Sequence, residues 1–178
     1  MKAAKITVGG VVYFLVFDGE AMFTIRDIYG GTKLLLETIE QDTRESFAET
    51  CKAAAILAER GELIRRRLGY EPGKIPESDD FALFTPPSEI VGLKNTVIKA
   101  ISLGYGREVT PPGGGEVDEG LEELNQKKNT MRRADYYRIA SLCGISPAEA
   151  LFMPPGEVFD VWELYLQAHG KRHNEEGD

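Results

Sequence analysis

The sequence predicts a mainly helical α+β fold, an N-terminal β-hairpin packed on a helical bundle and followed, after a linker, by a small C-terminal helical module. Three observations carry this. Two β-rich runs, Lys5–Val8 and Val11–Phe17, flank Gly9-Gly10, a dipeptide free to adopt the positive φ angles of a two-residue hairpin turn. Beyond Phe17 the apolar residues recur at helical rather than alternating spacing. Thr110-Pro111-Pro112-Gly113-Gly114-Gly115-Glu116 then breaks the chain with linker composition.

Each element follows from local signals. A lone hairpin is marginal in water, so it must pack on the helices or gain strands from another copy. Asp18 is placed to cap a helix bearing Met22, Phe23, Ile25, Ile28 and Tyr29, which Gly30-Gly31 ends. Thr32 opens a second helix through Leu34, Leu35, Leu36 and Ile39. Asp42 with Glu45 reads as the capping signature of a third, whose Phe47, Cys51, Ala54, Ala55 and Ala58 share one face until Gly61 interrupts it. Glu62–Tyr70 continues for a turn or two with Arg65, Arg66 and Arg67, a solvated helix end in which cations suit the dipole. Residues 71–88 carry Pro72, Gly73, Pro76, Pro86 and Pro87 and read as loop. Pro87 or Ser88 starts a helix through Ile90, Leu93, Val97 and Ile101, closed by Gly104.

The predicted boundaries are 1–108 for the hairpin and helical domain, 109–129 for the acidic linker, 130–170 for the module and 171–178 for a disordered tail. Leu121–Lys128 is charged and weakly helical. In the module, Ser146-Pro147-Ala148-Glu149 is a capping box with proline at the first helical position. Pro154-Pro155 ends that short helix and begins another carrying Glu157, Val158, Val161, Trp162 and Tyr165.

Composition narrows the function. The 178 residues are 42% hydrophobic, enough for one core, and the longest apolar run, Val11–Phe17, is far short of a membrane helix. With no signal-peptide pattern, a cytoplasmic protein is expected. Net charge is −8, and residues 111–178 hold 7 basic against 13 acidic groups, which disfavours general nucleic-acid binding. Cys51 and Cys143 lie far apart without a Cys-x-x-Cys motif and read as small buried hydrophobes.

Several motifs carry no chemistry. Gly113-Gly114-Gly115 lacks the Gly-Lys-Ser/Thr of a phosphate loop. His169 and His173 have ligand spacing, but Gly170 lies between them and no third histidine exists. No Ser/His/Asp or Cys/His grouping is present, so no catalytic, cofactor or metal site is expected and the protein reads as non-enzymatic. Tyr136, Tyr137, Phe152, Phe159, Trp162 and Tyr165 are instead the candidate partner-binding residues, because so much aromatic surface exceeds what two short helices bury by themselves. Packing on the N-terminal domain is the competing reading. The surrounding Glu149, Glu157, Asp160 and Glu163 would suit a basic or amphipathic helix.

The order of pieces resembles the tail assembly chaperones of long-tailed bacteriophages and prophages. The hairpin ending Tyr13–Phe17, the helix ending Ile28-Tyr29-Gly30 and the alanine-rich helix running into Ala58–Gly61 look like their upstream domain. Tyr137–Ala140, Gly144–Ala150 and Pro155–Asp160 are similar to the module of their C-terminal extension. The family often makes its long form by ribosomal frameshift, whereas here both parts lie in one sequence. The resemblance implies a non-catalytic chaperone that binds the tape measure protein, helps recruit tail tube subunits and is absent from the finished virion. Two other readings remain. Arg138–Leu151 resembles a helix-turn-helix of a DNA-binding regulator, although its second helix lacks base-reading side chains and only Arg132 and Arg133 are near for phosphates. A structural tail or head-tail component is the other.

Overall fold

The computed structural model describes residues 2–109 and 131–170. Strands β1 (Ala4–Val8) and β2 (Val11–Leu15) pair antiparallel in the register Ala4↔Leu15 to Val8↔Val11. Gly9 and Gly10, at φ of 57° and 78°, supply the left-handed pair that a two-residue turn matching strand twist requires. Ala4, Val8, Tyr13 and Leu15 bury one face of the ribbon, while Lys5 and Thr7 stay in solvent. Beyond β2 the chain dives inward. Val16 and Phe17 are buried, and the Val16 amide donates to the Leu57 carbonyl at 3.0 Å.

Helix α1 (Gly19–Tyr29) starts where expected, with the Asp18 carboxylate accepting from the Ala21 amide at 2.9 Å, and ends on Gly30. Helix α2 (Thr32–Glu40) follows, burying Leu35 and Ile39. Helix α3 (Arg44–Arg67) corrects the sequence reading twice. Its cap is Thr43, whose hydroxyl accepts from the Ser46 amide at 3.0 Å, rather than Asp42. It also runs unbroken through Gly61 for 24 residues. Gly61 is a contact point: a Cβ there would fall on the carbonyl of Phe14, so its missing side chain lets β2 lie against the helix.

Residues 78–84 are a third correction, since Ser78–Phe84 is helix α4 rather than loop. The Glu77 amide donates to the Asp80 carboxylate at 2.9 Å, and Phe81, fully buried, meets the Tyr13 ring at 5.3 Å. Asp79 and Asp80 lie in the first turn of α4, where acids suit the helix dipole. A 3₁₀ turn at Pro87–Glu89 leads into α5 (Ile90–Tyr105). Gly104 lies inside α5 and is packed against the Phe17 backbone, as Gly61 is against Phe14. The segment 14–17 therefore passes between two helices, each notched by a glycine.

Residues 131–170 form α6 (Arg133–Leu142), α7 (Pro147–Ala150) and α8 (Pro155–Gly170). The Ser146 capping box is present, with the Glu149 amide on the Ser146 hydroxyl at 3.2 Å and the Ser146 amide on the Glu149 carboxylate at 3.1 Å. Tyr136, Ala140, Ala150, Val158 and Phe159 join the same buried cluster as Phe17, Phe23, Leu57 and Val97. Backbone bonds reinforce this: the Gly19 and Glu20 amides donate to the carbonyls of Met153 (3.0 Å) and Leu151 (3.1 Å). A helix begins with amides that lack intrahelical partners, and α1 finds two of its own in the α7–α8 connection. The expected linker, apart from Val109, and the expected tail lie outside the described residues.

Candidate functional site

The six aromatic candidates separate into three groups. Tyr136 and Phe159 are core residues. Tyr136 is fully buried, edge-on to Phe23 at 5.4 Å and to Phe159 at 6.1 Å, and its hydroxyl donates to the Ala150 carbonyl at 3.2 Å. Burial pushes its phenol pKa up, so it remains a neutral donor. Their placement corrects the expectation of an exposed aromatic surface for these two: the Phe23 face of α1 takes what the short helices cannot bury alone.

Tyr137 and Phe152 are half-buried and meet arginines. Arg133 reaches the Tyr137 hydroxyl at 3.4 Å while holding Glu20 at 2.8 Å. The guanidiniums of Arg60 and Arg67 stand 4.5 and 4.8 Å from the centre of the Phe152 ring. Phe152 also lines an open groove of about 540 Å³, between the C-terminal end of α3 and the α6–α7 turn. Ile64, Leu68, Ile145 and Met153 supply its apolar walls.

Trp162 and Tyr165 form the third group. Their rings stack at 5.5 Å and 11°, and Tyr165 stacks in turn on the His169 ring at 4.1 Å. Spacings of three and four residues put the three rings in a column along one side of α8. Leu164 and Leu166 beside them are about half exposed, at 51% and 43%. The second half of α8 thus presents aromatic and aliphatic surface together. Of the His169/His173 pair, only His169 is among the described residues, and its Nδ1 lies 2.8 Å from the Tyr165 carbonyl.

Charge around the site departs from the sequence expectation. Asp160 accepts from Arg107 at 2.8 Å and from the Glu108 amide at 2.7 Å. Burial alone would raise its carboxyl pKa, but these donors together hold it below the usual range. Glu157 pairs with Lys2 at 3.5 Å, Glu163 lies 4.0 Å from Arg107, and Glu149 is committed to Ser146. The acids read as a field for a basic helix already have partners within the chain.

The α3 arginines divide similarly. Arg60 holds buried Asp18 at 2.8 Å, and Arg65 and Arg66 share Glu62 at 2.7 and 3.0 Å. Glu62 itself is buried beside Gly73, whose amide it accepts. Arg67 has no carboxylate within ion-pair distance among the described residues. Sequence reasoning treated the three arginines as one solvated end and missed the groove. The signal was Leu68, an aliphatic residue directly after a cationic run where a purely solvated end needs none.

For the helix-turn-helix reading, α7 is a single turn of four residues, too short to lie along a groove and read bases. Arg132 and Arg133, the proposed phosphate contacts, hold Asp135 and Glu20. Cys51 is buried, its thiol pushed up to about 11 by burial, whereas Cys143 is only half-buried. Among the described residues no group of three or more His, Cys, Asp or Glu could hold a metal ion, and no helix is long and apolar enough to cross a membrane. No family model, no curated protein and no solved structure matches the chain.

Proposed function

We propose that the chain is a tail assembly chaperone of a long-tailed bacteriophage or prophage, a non-catalytic protein that binds the tape measure protein and helps recruit tail tube subunits. The reading is supported by the order of its pieces: hairpin, three helices with an alanine-rich third, and a capped short-helix module. The observation that carries it is the stacked column of half-buried Trp162 and Tyr165 with exposed His169, on a helix that also exposes Leu164 and Leu166. An apolar stripe on one helix suits reversible coating of a long, repetitive helical partner, because burial is non-directional and each contact is weak. The net charge of −8 keeps the coated complex soluble. In this role the protein acts in the host cytoplasm and leaves before the virion is complete.

Co-expression with the longest coiled-coil protein encoded beside the gene, followed by affinity capture and size-exclusion chromatography, tests the proposal. Co-elution, with the partner soluble only in company, is the expected result. An insoluble partner beside a free, monodisperse chain overturns it, as does recovery of the chain from purified particles.

A further inference from the structure

We infer that the outer edge of β1 pairs with the same edge of a second copy, joining the two hairpins into one four-stranded antiparallel sheet across a two-fold axis. The fold covers one edge of the hairpin and leaves the other. Because Gly9-Gly10 makes a two-residue turn, Val8↔Val11, Ile6↔Tyr13 and Ala4↔Leu15 are the hydrogen-bonded pairs. The amides and carbonyls of Lys5 and Thr7 on β1, and of Val12 and Phe14 on β2, therefore point outward. On the β2 side α3 occupies the edge: Gly61 admits the Phe14 carbonyl, and just past the strand the Val16 amide donates to Leu57. On the β1 side, among the described residues, no backbone hydrogen bond outside the hairpin involves Lys5 or Thr7. Ala4–Val8 has neither proline nor bulge, so its edge is blunted by a single charge, that of Lys5.

Burial along the strand points the same way. Ala4 and Val8 on the inner face are buried, but Ile6 between them is only half-buried, as expected of a central side chain with no neighbouring strand on one flank. The edge is also self-complementary. With the two-fold axis at Ile6, Lys5 of each copy lies opposite Thr7 of the other, and each such pair exchanges two hydrogen bonds. Ile6 then faces Ile6 as a non-hydrogen-bonded pair, the closer kind, and two β-branched side chains cover each other. Centring the axis on Lys5 would set like charges face to face, and centring it on Thr7 would run Lys5 against the left-handed turn at Gly9. In the Ile6 register the two lysines sit diagonally, roughly 7–8 Å apart, where salt screens them. A second copy fits this edge because it brings its own unpaired outward amides, and one contact satisfies both. The pairing is independent of the tail-assembly reading.

Sedimentation equilibrium of the full chain from low to high micromolar concentration, with hydrogen exchange at both ends of that range, tests the inference. A reversible monomer–dimer equilibrium strengthened by salt is expected, with the Lys5 and Thr7 amides exchanging freely when dilute and slowing at least about tenfold as the dimer forms. Thr7→Glu sets a carboxylate opposite Lys5 and should tighten the dimer severalfold, although it adds to the net charge of −8. Thr7→Lys sets lysines opposite each other and should weaken it severalfold, although it reduces that charge. Thr7→Pro removes an outward amide that the hairpin does not use and should leave a monomer. The Thr7 side chain is exposed, so an unchanged thermal melt verifies each fold, and the two charge variants decide the matter if proline disturbs the hairpin. A chain that stays monomeric at high micromolar concentration would overturn the inference. So would a dimer whose Lys5 and Thr7 amides exchange at the monomer rate, or Thr7→Glu and Thr7→Lys acting alike or in reverse order.

Discussion

Arg60 and Asp18 meet at 2.8 Å inside the protein, joining the middle of α3 to the first turn of α1. Asp18 is fully buried, caps α1 through Ala21, and shares Arg60 with the Leu151 carbonyl at 3.5 Å. Burial raises its carboxyl pKa more than the Arg60 guanidinium and the Ala21 amide lower it. Asp18→Ala removes a cap and strands a guanidinium, so unfolding free energy should drop by about 3 kcal/mol, measured by urea denaturation. A loss under about 1 kcal/mol would show that the pair contributes little beyond its own desolvation.

The same residue has a pH signature. With a folded-state pKa above the unfolded value of about 3.9, Asp18 binds its proton more tightly in the folded chain. Its contribution is then most favourable below the unfolded value and diminishes as pH rises through the folded one. Subtracting the stability curve of Asp18→Asn from that of the parent should give a difference that falls with rising pH in this window. A difference that climbs would reverse the assignment.

Asp160 should behave oppositely. Its folded pKa is depressed, so its stabilisation is present above about pH 4 and is lost as pH falls through the folded value. Asp160→Asn should cost about 2 kcal/mol at pH 7 and little in strong acid. Hydrogen exchange should report the loosening first at the end of α5 and the start of α8, where Arg107 and Glu108 hold it.

Three glycines on two helices give changes of opposite sign. Alanine favours a helix over glycine by about 1 kcal/mol, yet at Gly61 or Gly104 its methyl would overlap a carbonyl of the 14–17 segment. Overpacking costs about 1–3 kcal/mol or more, and backbone cannot step aside as a side chain can, so both variants should be destabilised on balance. Gly92, with nothing near its missing Cβ, should be stabilised by up to about 1 kcal/mol when replaced by alanine. Equal effects at all three would show that α3 and α5 slide freely over the segment.

The aromatic residues should divide by place. Phe159→Ala creates a cavity beside Tyr136 and should cost about 3–4 kcal/mol, visible as a lowered thermal midpoint. Trp162→Ala should leave the midpoint nearly unchanged and weaken capture of the elongated partner severalfold. Full capture by Trp162→Ala would take the α8 column out of the proposed function.

The hairpin, the Asp18 cap, the Gly30 stop and the Ser146 capping box were all legible because each is encoded within four or five residues. Gly61 and Gly104 were misread for the complementary reason. Glycine signals an interruption locally, and only the path of residues 14–17, distant in sequence from both, reveals a notch. Glu77 and Asp80 were hidden among prolines, so loop composition masked a seven-residue helix. In the candidate site, the aromatic list was readable, but its division was not, because Phe23 lies more than a hundred residues from Tyr136. The groove was illegible for the same cause: its walls come from residues 64–68 and 144–153, which meet only in space.

The two amides at the start of α1, satisfied by carbonyls of residues 151 and 153, set an order of events during synthesis. When α1 leaves the ribosome its partners are some 130 residues from being made, and nascent chain emerges at roughly 5–20 residues per second. For those seconds the start of α1 is capped by Asp18 alone, and the part of the Phe23 ring that Tyr136 covers faces water. A ribosome that stops before Met131 releases a polypeptide whose first helix has an open end and an uncovered aromatic ring, a species suited to capture by holdases or by its own kind. Synthesis of residues 151–153 is thus also the step that closes the start of α1.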